Sequence, residues 1–133
     1  MKAKILLTLI ILLFSRFLFA QDNFIDVNKQ SADSIMKENR SKFLSAMTTT
    51  DTKLLISTFQ NKDGSITLLY YDNNNICYEC AIMYKTNNVD AVKNILKKQF
   101  DQQNEREWVR RDNKIKAEMI VINGTVVIKY LKI

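Results

Sequence analysis

Residues 115–130 read IKAEMIVINGTVVIKY, two alternating runs joined by Asn123-Gly124. Asn-Gly accepts the positive φ angles of a two-residue turn, so it marks a β-hairpin and fixes its register. That register pairs Ile122 with Thr125, Val121 with Val126, Met119 with Ile128, Glu118 with Lys129 and Ala117 with Tyr130. Successive strand residues point to opposite sides. One face therefore collects Ile115, Ala117, Met119, Val121, Val126, Ile128 and Tyr130, the makings of a core. The other mixes Ile120, Ile122, Val127 and Leu131 with Lys116, Glu118 and Lys129. Glu118 opposite Lys129 is an attractive cross-strand pair, and apolar residues on a face the core does not need mark a contact surface. Asn123-Gly124-Thr125 also fits a glycosylation sequon, although its role in a tight turn accounts for it.

Working back from the hairpin, Glu105–Arg111 reads as a strand, preceded by an amphipathic helix from Val89 to Gln103. Asn87-Asn88 supplies its cap, Asp90 lies in its first turn, and Val89, Val92, Leu96 and Phe100 form its apolar stripe. Further back lie strands at Lys53–Gln60, Ser65–Tyr71 and Ile76–Lys85, separated by Asn61-Lys62-Asp63-Gly64 and Asp72-Asn73-Asn74-Asn75. Both separators have turn composition. A first helix is expected from Ala32 to Ala46, with cap candidates in Ser31–Ser34 and an apolar stripe of Ile35, Met36, Phe43, Leu44 and Met47. Asn39-Arg40 interrupts that stripe.

The expected fold is α+β, in the order helix-βββ-helix-βββ, with an antiparallel sheet and two helices packed on one face. The two units suggest an internal structural duplication without a residue-level repeat.

Residues 1–20 have the pattern of a secretory signal peptide: Lys2 and Lys4, an apolar run from Ile5 to Phe14, and the small residue Ala20 before Gln21. The run is shorter than the roughly 20 residues of a spanning helix. A single α+β domain at 21–133, exported to the periplasm or secreted and not membrane-spanning once processed, is therefore expected. Removing Lys2, Lys4 and Arg16 halves the formal net charge of +6, which leaves no case for a nucleic-acid partner.

The chain has no histidine, the commonest general base near neutral pH and the commonest nitrogen ligand for zinc. It has no proline either, so the cis-proline loop beside thioredoxin-type cysteines is excluded. No cofactor, metal site or catalytic residue is expected, and the protein reads more as a binding protein than as an enzyme.

Its two cysteines stand as Cys77-Tyr78-Glu79-Cys80. In a regular strand, residues three apart are roughly 10 Å apart, beyond the limit of about 7 Å for a disulfide. On this reading Cys80 lies in the core with Ile82 and Tyr84, and Cys77 is the thiol that meets solvent. The alternative function is a thiol-disulfide oxidoreductase using Cys77 and Cys80, which requires a sharp turn or a helix start at Cys77.

A second candidate is the basic group Arg106, Arg110, Arg111, Lys114 and Lys116 around Trp108. It reads either as a grip for anionic groups or as a charge-guarded edge. The leading expectation is a small exported protein that binds a protein or cell-envelope component through a sheet face or edge. Ile120, Ile122, Val127 and Leu131 are its principal contact residues, with Trp108, Arg106 and Arg110 beside them.

Overall fold

A computed structural model describes Lys4 and residues 24–133; apart from Lys4, the expected export segment lies outside the described residues. Two helices and eight strands follow in the order α1 (Lys29–Glu38), β1 (Lys42–Thr48), β2 (Leu55–Gln60), β3 (Ile66–Tyr71), β4 (Cys77–Tyr84), α2 (Val89–Leu96), β5 (Phe100–Gln102), β6 (Glu107–Arg110), β7 (Ile115–Ile122) and β8 (Thr125–Lys132). The strands form one antiparallel sheet in the order β1-β2-β3-β4-β8-β7-β6-β5. The protein is thus α+β and mostly sheet, and the two halves of the chain meet where β4 pairs with β8.

Each helix is followed by four strands and not three, which corrects the expected order, and both extra strands come from the ends of the expected helices. Helix α1 starts earlier than expected, with Asn28 as its cap accepting from the Ser31 amide at 2.8 Å. It stops at Glu38, because Arg40 takes a left-handed φ of 57°. Ser41 N–H then donates to the Met36 carbonyl and Arg40 N–H to the Lys37 carbonyl. These two bonds make a Schellman ending, usually built on glycine. Phe43, Leu44 and Met47 consequently leave the helix and belong to edge strand β1, where all three are exposed.

Helix α2 likewise ends at Leu96, short of the expected Gln103. The Arg111 guanidinium donates to the Lys97 and Lys98 carbonyls at 3.0 and 3.1 Å, satisfying acceptors that the helix leaves behind. Phe100 stays buried, but on β5.

The hairpin has the expected register at all five pairs. Its turn has φ of 31° at Asn123 and 76° at Gly124, both positive as a type I′ turn requires. Across the sheet, the inward residues Leu69, Ile82, Ile128 and Ala117 join Ala32 and Met36 of α1 and Val92 and Leu96 of α2 in a single core. Both α1 and α2 therefore cover the same face, and among the described residues neither lies on the opposite one. Among the described residues no helix is long and apolar enough to cross a membrane.

Candidate binding surface on the open sheet face

Strand pairing arranges the uncovered face in rows that run across the sheet. One row is Ile120, Val127, Met83 and Ile66, four apolar side chains on four neighbouring strands. The next runs Glu107, Glu118, Lys129, Ala81, Leu68 and Thr58. The third contains Lys116, Leu131, Glu79, Tyr70, Ile56 and Met47. Ile122 projects beyond the first row at the hairpin tip, opposite Thr125. Ile120 and Ile122 are 44% and 57% exposed, whereas Val127, Met83 and Leu131 are half-buried by their own neighbours. The four aliphatic contact residues named from the sequence thus share this face.

The charges on the face neutralise one another. Glu118 stands opposite Lys129 as the register requires, yet the ion pairs run on to other neighbours: Lys129 to Glu79 at 2.9 Å and Lys116 to Glu118 at 2.8 Å. The hydrogen bond that Lys129 donates to Glu79 raises the Lys129 pKa, and the one that Lys116 donates to Glu118 raises the Lys116 pKa. Burial, and then the Glu79 carboxylate, raises both Tyr70 and Tyr78, whose rings meet edge to face at 6.4 Å. The result is an apolar row bordered by a compensated charge ladder and two phenols. Such a surface suits a protein partner's mixed apolar and polar patch better than a strongly charged ligand.

The basic group divides between different places. Trp108 lies on the helix side of β6, fully buried, its indole N–H without a hydrogen-bond partner. Arg110 is bonded to Asp112 at 2.6 Å, holding that carboxyl below its ordinary range. Arg111 binds Asp101 and the end of α2. Lys116 lies on the open face, paired with Glu118, whereas Arg106 lines a cleft of about 420 Å³ with Val89 and Lys93 of α2 and Met119, Ile120 and Val121 of β7. A second cleft, of about 490 Å³, lies at the other end of the sheet among Asp26, Arg110, Lys114 and Lys132. In it Lys132 is already paired with Asp26 at 3.0 Å.

The cysteine pair lies on a strand, but the placement of Cys77 is corrected. Tyr71 pairs with Cys77 and Tyr70 with Glu79, so Tyr78 is an extra residue in a β-bulge. The bulge sends Tyr78 outward and turns Cys77 to the inner face with Cys80, where both side chains are buried. Backbone bonds from Asp26 N–H to the Cys77 carbonyl and from Cys77 N–H to the Val27 carbonyl, each 2.8 Å, hold it there. Burial pushes the Cys77 thiol up to about 11, the opposite of what an attacking thiolate needs. Among the described residues no group of three or more His, Cys, Asp or Glu could hold a metal ion.

Sequence reasoning named the outer residues of the hairpin and passed over Met83, Ile66 and Leu68, which extend the same surface. The signal was present in β3, where Ile66-Thr67-Leu68-Leu69-Tyr70-Tyr71 is apolar on both faces. No family model matches this chain, and neither a curated protein nor a solved structure does.

Proposed function

We propose that this chain is a small exported, non-catalytic binding protein that engages a protein or cell-envelope component through the open face of its sheet. The observation that carries the reading is the apolar row Ile120, Val127, Met83 and Ile66, which lies on the face that neither helix covers. Contiguous apolar surface of this kind is costly to leave in water unless something docks on it. The expected export signal places the protein in the periplasm or outside the cell. Buried Cys77 and Cys80 serve the core on this reading, with burial keeping the Cys77 thiol protonated. The repeated helix-and-four-strand order is consistent with an ancestral duplication.

The experiment is a paired substitution, Ile120→Asp with Val127→Lys. The residues are direct cross-strand neighbours, so the new charges attract each other and spare the sheet. The expected outcome is an unchanged fold and loss of the partner that co-purifies with the wild-type protein from its native compartment. Unchanged co-purification with an intact fold would remove the surface from consideration.

A further inference from the structure

The two edges of the sheet differ, and the difference bears on self-association independently of what the open face binds. At one edge, β5 is three residues long and already covered. The Gln103 side chain donates to the Asp101 carbonyl at 3.2 Å, and Arg111 reaches the Asp101 carboxylate at 3.4 Å. Short length, charge and side-chain cover are the means by which sheets protect an edge. At the other edge, β1 is seven residues long and bears one charge, Lys42. Phe43, Leu44 and Met47 are exposed on it, Met47 by 62%. No side-chain cover like that on β5 lies over β1 among the described residues, and β2 occupies only one of its sides.

An uncovered strand offers a row of backbone donors and acceptors, and the group that satisfies them is another extended backbone. We infer that β1 is a self-association edge, at which a second copy of this chain adds its own β1 antiparallel about a two-fold axis. Three features favour a second copy over a foreign segment. Pairing of β1 with β1 satisfies both exposed edges at once, as an isologous contact does. It leaves only the two covered β5 edges at the ends of the joined sheet, so association closes at two chains. The single charge lies at the start of the strand, so antiparallel pairing keeps the two Lys42 side chains at opposite ends of the junction.

The register shift between Phe43 and Ser45 marks Leu44 as a bulge on β1. The bulge limits regular pairing to Ser45–Thr48, where Ser45 and Ala46 are small enough for close approach, while Leu44 and Met47 add apolar contact beside it. The dimer also joins the two open faces into one surface, with Met47 next to the seam.

Light scattering coupled to size exclusion, over a dilution series of the purified protein, is the test. The wild type should have the mass of two chains and should move toward one on dilution. Leu44→Lys combined with Met47→Lys, both at exposed positions, should give the mass of one chain and the melting temperature the wild type shows when diluted to single chains. A wild type of single-chain mass throughout would overturn the inference, and so would a double variant as dimeric as the wild type. If the double variant fails to fold, amide hydrogen exchange on the wild type decides. The β1 amides should lose protection on dilution while those of β5 do not; β1 exchange that ignores concentration contradicts the proposal. A dimer lost instead with Ile120→Asp would place the interface on the open face and equally overturn it.

Discussion

Ile128 and Val127 are consecutive residues of β8 with opposite surroundings. Ile128 points at Ile82 and Met119 under the helices and is fully buried; Val127 points at Met83 and Ile120 on the face that neither α1 nor α2 covers. Each row is aliphatic across neighbouring strands, so hydrophobicity alone does not tell core from contact surface. What distinguishes them is where the two helices lie, and both lie over the row of Ile128. An apolar row with cover is stability. The same row without cover is available for binding.

Substitutions on the two rows separate these roles. Ile128→Ala should cost about 2–5 kcal/mol in chemical denaturation, because it leaves a cavity between well-packed neighbours. A cost below that range would mean that the helix side is loosely packed and the contrast between the faces is weak.

The inner face should also be the more sensitive to alkali. The Cys77 thiol, with an ordinary value of 9.0, is raised to about 11 in the folded protein, so the native state holds its proton where the unfolded chain has lost it. Stability is therefore unaffected below about pH 9 and falls between pH 9 and 11, by an amount on the order of 1–3 kcal/mol for this group. Tyr71, raised by burial, contributes with the same sign. Melting temperatures across that window should fall less steeply in Cys77→Ala than in the wild type, and equal slopes would mean that Cys77 is not buried as described.

Ile120→Asp with Val127→Lys should change stability by no more than about 1 kcal/mol, because the new side chains meet water and each other. A larger loss would show that the outer row is structural. The smallest effect is expected from Tyr71→Phe. The Tyr71 hydroxyl is buried without a hydrogen-bond partner, so removing it should shift the denaturation midpoint by less than about 1 kcal/mol and in the stabilising direction. A clear destabilisation would reveal a partner for that hydroxyl.

The sequence revealed most where structure is set locally. Asn123-Gly124 and strict alternation define the terminal hairpin and both of its faces without help from the rest of the chain. The four aliphatic contact candidates follow from that register. It misled where a local pattern was overridden from a distance. Phe43, Leu44 and Met47 continue the helical spacing of Ile35 and Met36, yet a left-handed Arg40 ends the helix without the glycine that would have signalled it. Phe100 continues the stripe of Leu96, yet Arg111, fourteen residues beyond Lys97, takes the carbonyls at the end of α2.

The bulge at Tyr78 depends on how β3 and the segment at Asp26 and Val27 grip Cys77, and neither contact has a signature within Cys77-Tyr78-Glu79-Cys80. The edge strand β1 was hidden for the same reason. Once its residues are read as helix, the strand that forms this edge is missing from the expected sheet.

Four methionines sample these environments: Met36 and Met119 in the core, Met83 on the open face and Met47 on the β1 edge. Methionine oxidation followed by peptide mass spectrometry, on the isolated protein and on the protein in its native extract, therefore tests the central claim directly. Met36 and Met119 should resist oxidation in both. Met83 should react in the isolated protein and become protected in the extract, with the protection abolished by Ile120→Asp and Val127→Lys. Oxidation of Met83 at the same rate in both settings would contradict the assignment of the open face as the binding surface.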